Sequence, residues 1–99
     1  MAKYTVEVGE GGHYRIAGEL TFETVPEIWQ RHDRFAADGD TVTVDLAGVT
    51  RADSAGLVLL VEWLRAAQHQ HKQIRFQNIP GPLLAIAKVS SLDTLLPLQ

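Results

Sequence analysis

The feature that most constrains the fold is a strand, a helix and a second strand that follow one another in the middle of the chain. Thr41–Leu46 alternates between apolar and polar residues, as a half-buried strand does. Residues 54–71 then carry leucines at helical spacing, and Gln73–Gln77 returns to a short strand. Because parallel neighbouring strands need a helical crossover of this kind, the segment predicts parallel pairing within a sheet.

The flanking segments complete a chain of interleaved strands and helices. Apolar and polar residues alternate in Lys3–Val8 and in His13–Leu20, and glycine-rich residues 9–12 lie between them, so these segments predict a hairpin. Apolar residues at helical spacing predict a first helix over Thr24–Ala37 and a third helix over Leu83–Val89. Thr24 and Glu27 have the spacing of a capping box at the start of the first helix. The order β-β-α-β-α-β-α belongs to the α/β class and predicts a mixed sheet with helices packed against it. At 99 residues, the chain is expected to form one domain, residues 1–99.

Composition and charge exclude several kinds of function. The net charge of −3 gives no broad basic field, so nucleic acid is not the expected ligand. With no cysteine, the chain forms neither disulfides nor thiolate metal sites, which fits a cytoplasmic location. The longest apolar run, residues 56–61, is far shorter than the roughly 18 residues of a membrane span, and no signal-peptide pattern begins the chain. Any contact with a membrane is therefore expected to go through a partner.

The histidines and glycines form no catalytic or metal-binding pattern. His69 and His71 would lie about 200° apart around a helix, so they cannot grip one metal ion together. The glycines of residues 9–12 precede a strand and lack the Gly-Lys-Ser/Thr of a phosphate loop. Ser54 lacks the Gly-x-Ser-x-Gly elbow of a hydrolase. We expect no metal, no cofactor and no enzymatic activity.

The turn Asp53-Ser54-Ala55-Gly56, which opens the second helix, is the strongest candidate for a binding surface. Asp53 or Ser54 can cap the helix by accepting a free backbone N–H. Glycine costs about 1 kcal/mol inside a helix, so helix stability alone does not explain Ala55 and Gly56. Small residues here would let another backbone approach closely. We therefore expect all four residues to lie in a partner contact.

The second helix also carries more apolar residues than one core-facing stripe requires. Leu59 and Trp63 are four residues apart, so they lie together on the helix surface, beside Glu62. A hydrophobic pair next to a charge is typical of a partner-binding spot, where tryptophan is enriched. The alternative is that Leu59 and Trp63 cover the sheet edge or the third helix. Trp29, on the single stripe of the first helix, is assigned to the core.

Two further positions leave alternatives open. A phosphate on Ser54 would be held by the free N–H groups and the dipole of the helix N-terminus, whereas the plainer interpretation is that Ser54 is only a cap. The C-terminal residues 95–98 are apolar. They would either dock on a partner or pack on the chain's own sheet.

Residues 42–57 resemble the signature of STAS domains, the family of the anti-sigma-factor antagonists. A strand ends in Asp45-Leu46, a short loop follows, and Asp53-Ser54-Ala55-Gly56-Leu57 opens a helix. Gly18-Glu19-Leu20 resembles the second motif of the family, at the end of the hairpin, and places Glu19 among the expected partner-binding residues. The resemblance covers essentially the whole chain and implies a binding domain with the STAS fold.

Within that family the chain is most similar to the MlaB type, the small cytoplasmic subunit of an ABC transporter that maintains outer-membrane lipid asymmetry. The short chain and its ending, residues 83–97, carry this likeness. It implies a subunit that binds the transporter's ATPase, lies at the inner membrane through that complex, and touches neither ATP nor lipid.

A second interpretation is a phospho-switched antagonist that binds a serine kinase or anti-sigma factor and is modified on Ser54. Thr21 argues against this interpretation, because many antagonists have an aspartate at that position. Ala55 and Val58 also argue against it, because they replace small residues that are common in the kinase-regulated proteins. A third interpretation is a binding module with an unassigned ligand between the hairpin and the second helix.

Overall fold

The computed structural model describes residues 3–35 and 39–98, which form one mixed four-stranded sheet with helices against it. In chain order the elements are β1 (Tyr4–Val8), β2 (His13–Leu20), α1 (Val25–Arg31), β3 (Thr41–Ala52), α2 (Ser54–His69), β4 (Gln73–Gln77) and α3 (Gly81–Val89). The predicted order and fold class are confirmed. A short 3-10 turn, Glu10–Gly12, joins the hairpin strands, and Gly11 and Gly12 adopt the positive φ that glycine tolerates.

The strands lie in the spatial order β1-β2-β3-β4. β1 pairs antiparallel with β2, whereas β2 with β3 and β3 with β4 are parallel, each pair connected by a helix. Ile16 and Val44, like Phe76 on β4, are fully buried, whereas Arg15 and Arg75 are exposed. One face of the sheet is therefore the core. α2 packs on it, with α1 and α3 as neighbours.

The first helix is shorter than predicted. It ends at Arg31, and Ala37, its predicted end, lies outside the described residues. After the helix ends, the Phe35 side chain enters the core. The Gln70 side chain takes the place of helical hydrogen bonds for the Phe35 backbone. Its amide oxygen accepts from the Phe35 N–H at 3.0 Å, and its amide nitrogen donates to the Phe35 carbonyl at 3.3 Å.

The predicted capping box at the start of α1 is wrong. The Thr24 hydroxyl accepts from the backbone N–H of Thr21 at 3.0 Å and donates to the carbonyl of Glu19 at 2.7 Å, so it ties the β2–α1 loop together. The Glu27 carboxylate accepts from the hydroxyl of Tyr4 at 2.6 Å. This bond raises the pKa of Tyr4, and burial raises it further.

β3 continues past its predicted end at Leu46 and reaches Ala52. Its pairing with β2 extends to Leu20 opposite Ala52, but the register shifts on the way. Such irregularities break the alternation of side chains, which is why the apolar pattern stopped early.

The C-terminal residues pack on the chain's own sheet. The backbone N–H of Phe76 donates to the carbonyl of Pro97 at 3.0 Å, and Leu98 forms an isolated parallel bridge to Phe76. Leu96 is buried, while Leu95 remains exposed. Among the helices of residues 3–35 and 39–98, none is long and apolar enough to cross a membrane.

Candidate partner-binding site

Asp53 joins the start of α2 to the loop between β2 and α1. Its backbone is extended, and its Oδ1 accepts from the N–H of Ala55 at 2.8 Å, which makes it the N-cap of α2. Its Oδ2 accepts from the N–H of Phe22 at 3.2 Å, and its own N–H donates to the carbonyl of Leu20 at 3.1 Å. Two of these bonds connect Asp53 to the end of β2 and the loop after it, and the third caps α2, so one residue fixes the turn.

The small residues of the turn face inward, contrary to the expectation that a partner's backbone approaches them. Ala55 and Gly56 are both buried. A Cβ on Gly56 would lie 3.1 Å from the Leu20 Cβ, 3.2 Å from the Leu20 carbonyl oxygen and 3.5 Å from Leu83. The backbone that approaches closely is therefore the end of β2. Ser54 is the one residue of the four that is exposed.

Leu59 and Trp63 lie in the core, so their predicted place on a contact surface is wrong. Each is only 1% exposed. The Trp63 ring lies 6.2 Å from the Phe35 ring, and its Nε1 donates to the carbonyl of His32 at 2.8 Å. The physical reason is that α2 has a helix on either side as well as the sheet below, so it buries more than one stripe. Burial lowers the pKa of His32, and the positive charge of the neighbouring Arg31 lowers it further.

Two of the large apolar residues that face solvent lie next to the turn. Phe22 is 70% exposed and Val58 is 56% exposed. Ser54, Val58 and Glu62 follow one another at intervals of four, so they form one stripe along α2. A shallow cleft of about 190 Å³ separates this stripe from α1, and it is lined by Val25, Pro26, Trp29, Val58, Leu59 and Glu62. We call Phe22, Ser54, Val58 and Glu62, together with this cleft, the turn surface.

The turn surface contains residues that sequence reasoning missed. Phe22 had no predicted role. Val25 and Pro26 were predicted only as parts of the first helix, and Trp29, assigned to the core, is half-buried and lines the cleft. The available signal was Phe22, a large apolar residue in a connecting loop between a strand and a helix. Its importance depends on its contact with Asp53, which is distant in sequence.

Glu62 and Glu19, the two glutamates predicted to bind a partner, occupy different settings. Glu62 is half-buried on α2, 3.4 Å from Arg65, and the exposure of the Arg65 side chain to solvent makes this ion pair weak. Glu19 lies on β2 opposite Arg51 of β3, and its backbone N–H donates to the Lys3 carbonyl at 2.9 Å. The structure thus brings Glu62 to the turn surface and places Glu19 in the sheet.

Metal-binding clusters of three or more histidine or acidic residues do not occur within residues 3–35 and 39–98. Asp45, the other acidic residue of the signature, accepts from the Asn78 side chain at 3.0 Å and from the Ala47 backbone at 2.9 Å. The bond from Asn78 lowers the pKa of Asp45 most, and the bond from Ala47 lowers it further. Asp45 therefore connects β3 to the segment that follows β4.

Comparison with known structures identifies the fold. The anti-sigma factor antagonist SpoIIAA in its unphosphorylated form aligns with a TM-score of 0.73 at 17% identity, covering 97% of this chain and 85% of that one. A sulfate transporter family protein from Wolinella succinogenes aligns with a TM-score of 0.71 at 14% identity, covering 93% and 79%. At these identities the likeness concerns the fold, which is that of STAS domains.

Sequence comparison then gives the family. A family model described as "Mlab, STAS domain" matches residues 5–97. The intermembrane phospholipid transport system binding protein MlaB of Escherichia coli is 28% identical over 83% of this chain and 82% of its own length. Its counterpart in Haemophilus influenzae is 30% identical over 79% and 78%. The chain belongs to the MlaB family of STAS domains.

Proposed function

We propose that this chain is a non-catalytic accessory subunit of a phospholipid-transporting ABC complex, and that it binds the ATPase subunit of that complex through the turn surface. The relatives support the first part, since they are named as binding proteins of an intermembrane phospholipid transport system. One observation carries the second part: a fixed turn is flanked by two exposed apolar side chains, Phe22 and Val58. Bound in this way, the chain would lie on the cytoplasmic side of the inner membrane.

The apolar part of the turn surface favours association. Covering apolar surface stabilises a complex by about 25 cal/mol for each Å² removed from water. Phe22 and Val58 are mostly exposed in the free chain, so a partner can cover most of both. Because Asp53 already holds Phe22 and the start of α2 in place, little conformational freedom would be lost on binding.

The polar residues of the turn surface fit the rim of an interface. Ser54 and Glu62 lie one helical turn to either side of Val58, and both reach solvent. Interfaces between proteins commonly combine an apolar centre with a polar, hydrated rim. Asp53 would act through the positions of its neighbours, whereas Ser54, Val58 and Glu62 would touch the partner. Glu19 is retained as a predicted contact at the end of the hairpin.

The proposal is tested by substitutions on exposed residues. Val58→Asp would place a charge in the centre of the contact, and Ser54→Arg would add bulk at its rim. Each is expected to reduce capture of the co-expressed ATPase subunit about tenfold or more, because burying an unpaired charge costs more than the 1.4 kcal/mol that a tenfold change requires. Val89→Asp is the matched control, because Val89 is an exposed helical valine (88%) on α3, outside the turn surface.

The readout is the amount of ATPase recovered with the tagged chain, and circular dichroism verifies the fold of each variant. Capture should fall for Val58→Asp and Ser54→Arg and stay unchanged for Val89→Asp. Normal capture by both turn-surface variants would refute the turn surface as the contact. Failure of the unaltered chain to capture the ATPase subunit would refute the partner.

Ser54 gives a reason to keep the phospho-switched antagonist as a second candidate. It is the exposed residue of the turn, at the first position of α2, where a kinase could reach its hydroxyl. A phosphate there would add nearly two negative charges beside Val58 and change what the surface can bind. Incubation with a cognate serine kinase and ATP, followed by mass measurement, decides between the candidates. An unchanged mass rejects the switch.

A further inference from the structure

We propose that β1 is a self-complementary edge, and that two copies of this chain pair through it in an antiparallel arrangement centred on Thr5. The pairing would join two four-stranded sheets into one. None of the β1 residues belongs to the turn surface, so the proposal is independent of the proposed function.

The two edges of the sheet differ in how they are covered. At β4, the C-terminal segment occupies part of the edge through the Phe76–Pro97 hydrogen bond and the bridge from Phe76 to Leu98. At β1, the residues that the structure describes provide pairing on one side only, from β2. β1 also contains no proline, and its register with β2 is regular from Tyr4 to Val8. Bulges and prolines are common means of blocking an edge, so this one is open to another strand.

The hydrogen bonds between β1 and β2 show which backbone groups point outward. The Lys3 carbonyl accepts from the Glu19 N–H at 2.9 Å, and the Gly9 N–H donates to the His13 carbonyl at 2.7 Å. Because hydrogen-bonded positions alternate along an antiparallel pair, Thr5 and Glu7 also face β2. The N–H and C=O groups of Tyr4, Val6 and Val8 therefore point away from the sheet. A second β1 must set its own outward-facing residues opposite them.

Only a few registers satisfy this condition, and one of them pairs complementary side chains throughout. With the two-fold axis at Thr5, Tyr4 lies opposite the partner's Val6, Thr5 opposite the partner's Thr5, and Lys3 opposite the partner's Glu7. Aromatic with β-branched, threonine with threonine, and opposite charges are all favourable cross-strand pairs. A centre at Glu7 would oppose two like charges, and a centre at Val6 would leave Lys3 opposite glycine.

The space beside the edge suits the side chains that this register brings in. An open groove of about 580 Å³ runs between β1 and α1, lined in part by Tyr4, Val6, Glu27 and Arg31. Side chains at Tyr4 and Val6 face the helices, so those of the second copy would extend along this groove. The contact would be small, with four backbone hydrogen bonds between Tyr4 and Val6 of the two copies. We therefore expect a dimer that forms and dissociates with concentration.

Charge exchange between Lys3 and Glu7 tests the register. Both residues are exposed, so neither substitution disturbs the core. In Lys3→Glu and in Glu7→Lys, every Lys–Glu pair becomes a pair of like charges, and the dissociation constant of the dimer should rise about tenfold or more. The double variant restores opposite charges and should dimerise like the original chain. A mixture of the two single variants should form heterodimers, since one copy then carries two acids and the other two lysines.

Sedimentation equilibrium against the 10.9 kDa monomer mass measures each of these states. Lys3 also bonds the Glu23 carboxylate, so Glu23→Gln is the control that removes this bond alone, and it should leave dimerisation unchanged. A chain that stays monomeric at every concentration overturns the proposal. Single charge reversals that dimerise normally would also overturn it. The same holds for a double variant or a mixture that stays monomeric, and for a Glu23→Gln variant that no longer dimerises.

Discussion

Replacement of Asp53 by alanine is expected to lower the free energy of unfolding by about 2 kcal/mol, because the carboxylate makes two separate hydrogen bonds. Oδ1 accepts from the Ala55 N–H at 2.8 Å, and loss of an N-cap of this kind costs about 1 kcal/mol. Oδ2 accepts from the Phe22 N–H at 3.2 Å, a bond that contributes roughly another 1 kcal/mol. In a domain of this size, such a loss lowers Tm by about 10 °C.

Urea unfolding followed by circular dichroism measures the effect, with two variants that separate the contributions. Asp53→Asn keeps one side-chain carbonyl oxygen, so it retains the cap and loses only the bond to Phe22, and we expect about half the cost. Ser54→Ala should change stability by less than about 0.5 kcal/mol, because Ser54 is exposed and the cap is Asp53.

The structure predicts the order of the three variants in the stability that they lose. A Ser54→Ala variant that loses as much stability as Asp53→Ala would show that serine caps the helix, and it would refute this account of the turn. An Asp53→Asn variant as unstable as Asp53→Ala would refute the separate contribution of the Phe22 bond.

Two further predictions concern the core and the bond between Asp45 of β3 and Asn78. Trp63→Phe should cost about 2 kcal/mol in urea unfolding, because the part-buried His32 carbonyl loses its donor, and a loss near zero would contradict the role of that bond. The pKa of Asp45 is lowered in the folded protein, so its stabilising effect is present above the unfolded pKa, about 3.9, and is lost as the pH falls through the folded pKa. Asn78→Ala should raise the pKa of Asp45 in an NMR titration and weaken this acid dependence, and an unchanged titration would contradict it.

The second helix illustrates how far periodicity reaches. Spacing placed Leu57 and Leu60 in the core and marked Leu59, Trp63 and Val58 as surplus. Of those three, only Val58 is exposed. Periodicity reports which residues share a face, but it does not report how many neighbours the helix has. With a helix on either side of α2, two faces became core and one narrow stripe remained for solvent.

The alternating and helical patterns determined the order of the elements, the mixed sheet and the place of the turn at Asp53, because these depend on residues that are near one another in the chain. The tertiary structure decided that Asp53 is the cap, that Gly56 receives the end of β2, and that Phe22 and Val58 form the exposed surface. The cap is a local bond between Asp53 and Ala55, but the other outcomes depend on which segments distant in sequence are in contact. Burial is a property of such contacts, so only the folded chain can assign it.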